Sequence, residues 1–282
     1  MLKQVILAVF TLFSVSLTVA QAQKMSISNH IKRIDVSTLP LFCDKTEVSN
    51  AEYRQYTTWV YATFGNEAYE KTLPDSLVWN RVFGEPFVLV YFRHPAYNNY
   101  PVVGVSYEQA LAYAKWRTDK VNEKILIDRG VLKSTPMHGK PNKAEEELSK
   151  IALKNAALVE YRLPTPQEWE QIASSERGDD WGIDEQDTKS KKQKERNISL
   201  FNVKTDSQNL KRITFTSPVI SFSPQNKKYH HLIGNVAEMT TQKNIAKGGS
   251  YRHTLEESKI KNNIAYEKPE AWLGFRCVAV LK

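Results

Sequence analysis

The sequence predicts an α+β fold, in which several helices surround short antiparallel strands and much irregular loop. Three helix starts are marked by Ser or Thr with Glu or Gln three positions later, at Ser49, Ser106 and Thr165. Near the C-terminus, three glycine-centred turns are flanked by short apolar runs, which is typical of short strands joined by tight turns.

The first predicted strand covers residues 39–48 and contains Cys43. A helix follows, capped by Ser49, with apolar side chains at helical spacing on one face. Those side chains are predicted to face the core; they are Tyr53, Tyr56, Val60 and Phe64.

The middle of the chain is predicted to alternate between regular elements and polar loop. Residues 87–92 are apolar and are predicted as a strand, and the helix that begins after Ser106 is predicted to extend to about residue 132. A charged insertion follows at about 133–160. The third helix begins after Thr165, with Pro166 in its first turn.

Residues 1–22 have the features of a secretory signal peptide, with Lys3 before an apolar stretch at 5–19 and an A-x-A cleavage site that ends at Ala22. An uncleaved anchor is the alternative. The expected mature protein is exported to the periplasm or envelope and is not membrane-spanning. It has an N-terminal extension at 23–38 and a single domain at 39–282.

The chain is basic, with a formal net charge of +8 and a sequence pI of about 9.2. Nucleic acid is not expected as a partner, because the protein is predicted to be exported and contains no recognised nucleic-acid-binding motif. Acidic glycans, lipid headgroups and acidic proteins stay open as partners.

The motifs, in chain order, are residues 44–50 (DKTEVSN), 101–107 (PVVGVSY), 162–170 (RLPTPQEWE), 234–238 (GNVAE), 248–250 (GGS) and 274–276 (GFR). Together they resemble the formylglycine-generating-enzyme family, also called the sulfatase-modifying-factor family. The resemblance covers nearly all of residues 40–281. It implies the family's fold, which is related to C-type lectins and brings the two chain termini together.

The chain contains two cysteines, Cys43 in the first predicted strand and Cys277 in the last. In an oxidising compartment, two cysteines predict one disulfide. Neighbouring terminal strands, which the resemblance implies, would bring the two thiols close together. Two separate buried thiols are the alternative.

Enzymes of the family carry a pair of active cysteines between the GGS turn and the GFR strand, and those thiols bind copper. The corresponding stretch here, residues 251–273, contains no cysteine. Because a thiolate is the required nucleophile and copper ligand, neither copper nor the oxidase activity is expected, and the chain is predicted not to be an enzyme. The six histidines lack the spacing of an iron site.

Calcium is the cofactor that the resemblance implies. Its ligands would be Gly234 and Val236 through backbone oxygen and Glu238 through its carboxylate, with a second site at Asn202 and Val203. The alternative is that Glu238 is paired with Arg276, because a buried charge needs a partner. Structural roles are predicted for Arg276 and for Glu47.

The NVAE variant of the turn and the long insertion resemble the gliding-motility envelope proteins of Bacteroidota. This resemblance implies a non-catalytic structural or binding subunit, whose partners are envelope proteins of a gliding-motility or type 9 secretion complex. The alternatives are a divergent enzyme of the family and a lectin-like module that binds glycan or peptide. The aromatic residues that would suit the lectin-like module are Tyr91, Tyr97, Tyr100 and Trp272, and for each of them a place in the core is the alternative.

Overall fold

The computed structural model describes residues 31–34, 41–80, 82–131, 159–177, 201–204, 215–221 and 229–281. The predicted signal peptide and most of the charged insertion lie outside these residues. Within them, no helix has the length and apolar character needed to cross a bilayer.

The regular elements are five α-helices and eight short strands in the described residues. The helices are α1 (Asn50–Phe64), α2 (Asn66–Glu70), α3 (Glu85–Val90), α4 (Tyr107–Asp128) and α5 (Pro166–Arg177). The strands are β1 (Ile31–Ile34), β2 (Leu41–Asp44), β3 (Val159–Arg162), β4 (Ala237–Met239), β5 (Ile245–Lys247), β6 (Ile264–Ala265), β7 (Leu273–Gly274) and β8 (Val278–Leu281). Short 3₁₀ turns cover Ser76–Trp79 and Pro95–Tyr97.

Two four-stranded sheets organise the core, and the predicted α+β class is confirmed. The first has the order β1-β2-β8-β3 with antiparallel pairs, so the two ends of the domain lie side by side. The second has the order β6-β5-β4-β7, in which β4 and β7 run parallel. Strand β1 lies within the predicted extension, and residues 159–160 of the predicted insertion belong to β3.

The three predicted helix caps are present. Ser49 and Glu52 form a capping box at α1, and Ser106 and Gln109 form another at α4. At α5 the Thr165 hydroxyl accepts from the Glu168 amide at 3.1 Å, and the Glu168 carboxylate accepts from the Thr165 amide at 2.8 Å. Such caps satisfy the free amides of the first turn, which fixes where each helix begins.

Most side chains predicted to face the core do so. Tyr53, Tyr56 and Val60 of α1 are buried as predicted. In α5, Trp169, Ile172 and Ala173 are buried too. Phe64 was predicted to join them but is 64% exposed, because α1 ends there and Gly65 redirects the chain. Helix α4 ends at Asp128 rather than near residue 132.

The segment 87–92 was predicted as a strand, and this prediction is wrong. Residues 85–90 form α3, with Pro86 in the first turn, where its missing N–H leaves no bond unmade. Phe87 and Tyr91 are four residues apart, so a helix places both rings on one side, where they pack against each other and against Trp79. A six-residue apolar run carries no periodicity that separates strand from helix.

The predicted disulfide is not formed: Cys43 and Cys277 are free and buried. Their strands are neighbours as expected, but Cys43 is paired with Val278. Since successive side chains of a strand point to opposite faces, Cys277 lies on the other face of the sheet from Cys43. Accordingly the two cysteines belong to different apolar clusters, one packed against α5 and the other against α1 and α4.

Both thiols are expected to be unreactive until the protein unfolds. Burial raises the pKa of Cys43 far above its usual value and raises that of Cys277 to about 12. A thiol-reactive probe should label no cysteine of the native protein and two per chain in denaturant without reductant. Loss of both thiols from the denatured, unreduced protein would contradict this prediction.

Candidate functional site

A buried ion pair connects the two sheets. Glu238 in β4 and Arg276, just before β8, are both fully buried. The guanidinium donates from Nε to Glu238 Oε2 at 2.7 Å and from Nη2 to Oε1 at 2.6 Å. The indole of Trp169 in α5 donates to the same Oε2 at 2.7 Å. The alternative that pairs Glu238 with Arg276 is therefore what the structure contains.

Arg276 also holds two backbone carbonyls. Its Nη1 donates to the Asp44 carbonyl at 3.1 Å, and its Nη2 donates to the His230 carbonyl at 2.7 Å. Burial alone would lower the pKa of Arg276, but the Glu238 carboxylate outweighs burial and holds that pKa above its usual value. The guanidinium is therefore a permanent positive charge that joins β2, β4 and the chain before β8.

Glu47 is a second buried carboxyl in the same region, on the turn between β2 and α1. Its Oε1 accepts from Asn235 Nδ2 at 2.8 Å. Its Oε2 is buried and has no hydrogen-bond partner among the described residues. Burial raises the pKa of Glu47 to about 8, a shift that Arg276 opposes and Glu238 reinforces.

Two carboxyl groups therefore share one guanidinium in this buried region. If Glu47 and Glu238 were both ionised, Arg276 would leave one negative charge uncompensated. An unpaired buried charge costs several kcal/mol, so it is neutralised by a proton or by a bound cation. The free Oε2 of Glu47 is where either would bind.

The residues predicted for the two calcium sites lie next to one another. Asn202 forms a bridge with Gly234, and its carbonyl accepts from the Asn235 amide at 2.8 Å. Gly234 has φ +82°, and a Cβ there would lie 2.5 Å from the Asn202 carbonyl oxygen. Only glycine fits this approach. Val203 packs in the α5 cluster, and Val236 is fully buried.

These residues fit a calcium site only in part. Both oxygens of Glu238 are engaged by Arg276 and Trp169, so a metal there would have to displace a buried guanidinium. Among the described residues, the buried carboxylate oxygen without a hydrogen-bond partner belongs to Glu47. The same residues contain no group of three His, Cys, Asp or Glu arranged for a metal. Any calcium would rely on Glu47 together with neutral oxygens.

The stretch that follows the GGS turn holds a Ser–His pair. Ser250 Oγ lies 2.7 Å from His253 Nδ1, and the His253 ring packs edge-on against Trp272 at 5.0 Å between centroids. Burial lowers the pKa of His253, which favours the neutral ring. Ser250 is fully buried, so its hydroxyl orients the histidine and is not open to a substrate. His253 and Trp272 remain partly exposed.

Lys247, in β5, is a functional candidate that the sequence reasoning missed. Its ammonium is buried and lies 2.6 Å from Glu170 Oε1. It also donates to the carbonyls of Ile260 and Asn262, each at 3.2 Å. The charge attaches the loop after the Ser–His pair to α5. A lysine just before a glycine turn in an apolar strand was the available signal.

Lys247→Met is expected to lower the free energy of unfolding by about 2–3 kcal/mol, because it leaves buried carbonyls without a donor. Lys261→Met is the matched control, since Lys261 contacts the same Glu170 from solvent, 71% exposed, at 3.4 Å. That change should cost less than about 0.5 kcal/mol. Urea denaturation measures the free energy of unfolding of both variants. Equal losses would contradict the inference that the buried ammonium of Lys247 stabilises the fold.

The aromatic side chains proposed for a glycan-binding surface do not share one environment. Tyr91 is 2% exposed, and its hydroxyl contacts the Pro101 carbonyl and the Thr216 hydroxyl at 2.8 and 2.7 Å. It therefore cannot stack on a ligand, and the core alternative holds for this side chain. Tyr97, Tyr100 and Trp272 are partly exposed.

The chain was compared with protein-family models, with curated protein sequences and with solved structures. The family model of the sulfatase-modifying factor enzyme 1-like domain matches residues 17–281. A search of curated protein sequences finds no match. Among solved structures, CarF is 18% identical, with 90% of this chain and 97% of that chain covered and a TM-score of 0.48.

Two further solved structures are similar over most of the chain. Variable protein 1 of Treponema denticola is 16% identical, with 90% of this chain and 91% of that chain covered and a TM-score of 0.44. PvdO from Pseudomonas aeruginosa is 16% identical, with 86% and 81% covered and a TM-score of 0.47.

Proposed function

This chain belongs to the family of the sulfatase-modifying factor enzyme 1-like domain, and from that premise we propose that it is a non-catalytic structural or binding subunit of the bacterial cell envelope. The observation that carries the proposal is the placement of its thiols. The stretch 251–273 contains no cysteine, and Cys43 and Cys277 lie buried on opposite faces of one sheet. This placement supports a role without a copper-binding pair of thiolates, since two thiols on opposite faces of a sheet do not share a ligand.

The residues after the GGS turn support a binding role. His253 is held in one orientation by Ser250, and its partly exposed ring packs against Trp272. A fixed ring nitrogen beside an indole suits recognition of a polar group attached to an apolar one. Two buried charges hold the flanking segments: Glu238 lies in β4, which pairs with β7 directly after Trp272, and Lys247 binds the loop that follows His253.

The proposed partners are proteins of an envelope machine for gliding motility or type 9 secretion. Capture of the tagged protein from its native envelope, followed by mass spectrometry, tests this assignment. We expect subunits of such a machine in fixed ratio to the bait. A variant with His253→Ala and Trp272→Ala should lose them while keeping its thermal stability. Recovery of the bait alone under mild extraction would contradict the proposal.

Calcium is proposed as a ligand of Glu47 rather than of Glu238. The free Oε2 of Glu47 supports this assignment, and so does the burial of a carboxyl group whose negative charge, once ionised, would need a cation beside it. The neighbouring turn at 234–236 would supply neutral oxygens. When bound, calcium would neutralise Glu47 and fix the turn.

A second candidate is a lectin-like module, favoured by the partly exposed Trp272, Tyr97 and Tyr100. A glycan array tests it directly. Binding that Trp272→Ala abolishes would support this candidate, whereas no binding at high protein concentration would exclude it.

A further inference from the structure

The two cysteines of the chain lie where the two inner strands of one sheet pair. Strands β2 and β8 occupy the middle of the order β1-β2-β8-β3. Cys43 in β2 is directly opposite Val278 in β8, and the Asp44 amide donates to the carbonyl of Cys277 at 3.0 Å. The two cysteines are therefore one position out of register with each other.

A disulfide between these cysteines does not fit the native sheet. Side chains that are one position out of register point to opposite faces. Cys43 belongs to the apolar cluster that contains Leu41 and Val278, whereas Cys277 belongs to the cluster on the other face with Ala279. A disulfide needs two Cβ atoms about 3.5–4.5 Å apart. Because the two Cβ atoms point away from each other, the native protein holds two thiols.

The contacts on both sides of the pairing fix the register of β8. Arg276, directly before Cys277, donates to the Asp44 carbonyl at 3.1 Å and forms the buried ion pair with Glu238. On the other side, the Asp44 carboxylate accepts from Arg117 Nη2 at 2.9 Å and from the Cys277 amide at 3.3 Å. A slip of one residue would bring the cysteines to one face, but it would break these contacts and turn every side chain of β8 to the wrong face.

We propose that Cys43 and Cys277 form a redox-sensitive lock on folding. The chain contains two cysteines, so an unfolded chain can form one intramolecular disulfide, and that disulfide excludes the native sheet. A chain that folds before it is oxidised buries both thiols and escapes the lock. This inference is independent of the calcium site and of the envelope partners.

The lock closes and opens by ordinary thiol–disulfide chemistry. When it closes, the two thiols lose two protons and two electrons to an oxidant such as a small-molecule disulfide, which is released as two thiols. When it opens, a thiolate of a dithiol reductant attacks one sulfur, and its second thiol completes the exchange. Both cysteines are then thiols again, and β2 can pair with β8 in the native register.

Refolding of the oxidised protein tests the proposal. The purified protein is unfolded in urea and oxidised at low concentration with diamide, whose azo bond takes up the two protons and two electrons. It is then diluted out of urea with or without dithiothreitol, and near-ultraviolet circular dichroism measures the recovery of native structure. The oxidised chain should stay non-native until dithiothreitol is added, whereas the reduced chain should refold in both buffers. Folded protein treated with diamide should keep its structure and both thiols.

A matched variant moves one cysteine by a single position. Cys277→Ala combined with Val278→Cys places a thiol directly opposite Cys43, on the same face of the sheet. Directly opposite residues of antiparallel strands have Cα atoms about 4.5–5.5 Å apart, within the range of a disulfide. This double variant should refold after oxidation without reductant, and its disulfide should raise the urea midpoint above that of its own reduced form.

The single variant Cys277→Ala controls for damage by the oxidant. It has no second thiol in the chain, so it should refold after diamide treatment with or without dithiothreitol. Recovery of native structure by the oxidised wild-type protein with its disulfide intact would overturn the proposal. Failure of the oxidised double variant to refold, when its reduced form does, would overturn it too, because the block would then not come from the register.

Discussion

Arg276→Met is expected to lower the free energy of unfolding by about 3–5 kcal/mol, because it leaves the Glu238 carboxylate buried and unpaired. The change also removes the donors of the Asp44 and His230 carbonyls. Among the described residues, the Trp169 indole would be the donor that remains to Glu238. Urea denaturation of the purified variant measures the loss.

The partly exposed pair of Arg162 and Glu168 is the matched control. It is also bidentate, at 2.7 Å for both contacts, but its side chains are 29% and 21% exposed. Arg162→Met should cost about 1 kcal/mol, since water replaces part of the lost interaction. Should Arg276→Met fail to fold, Glu238→Gln serves as the milder change. If Arg276→Met and Arg162→Met lowered the free energy of unfolding by the same amount, the larger effect expected for the buried pair would be contradicted.

Glu47→Gln is expected to remove a large pH dependence of stability. Burial raises the pKa of Glu47 from 4.5 to about 8 in the folded protein. The folded state therefore prefers the protonated carboxyl, whose contribution is complete below about pH 4.5 and is lost as the pH rises through 8. In chelator, the wild-type protein should lose about 5 kcal/mol relative to Glu47→Gln between those limits.

Added calcium separates the two ways of neutralising Glu47. If calcium binds the free oxygen, it should raise the melting temperature of the wild-type protein at pH 8 and above, and less at pH 5, where a proton competes. Glu47→Gln should not respond at either pH. Glu67→Gln, an exposed control, should behave like the wild type. A calcium response that survives in Glu47→Gln would contradict this assignment.

The helix starts could be predicted from the sequence because capping is local. Ser49, Ser106 and Thr165 each satisfy amides within three residues, so no knowledge of the rest of the fold is needed. Helix α3 could not be predicted in the same way. Its apolar run owes its helical form to Pro86 and to packing on Trp79, which lies in another segment.

The sites show the same division between local and long-range information. The turn at Gly234 was visible in the sequence, but whether Cys43 faces Cys277 depends on a one-residue register that the sequence does not reveal. The pairing of Glu238 with Arg276 was one of two open alternatives, since both a metal and a guanidinium satisfy a buried carboxylate. Lys247 was missed because its ion-pair partner, Glu170, lies 77 residues away in α5.

The most direct test of the proposed non-catalytic role is an assay for copper-dependent oxidation of a cysteine-containing peptide by the purified protein. The thiol placement predicts no conversion of the cysteine and no stoichiometric copper in the protein, with or without reductant. Conversion that depends on copper and is lost in Cys277→Ser would contradict the account.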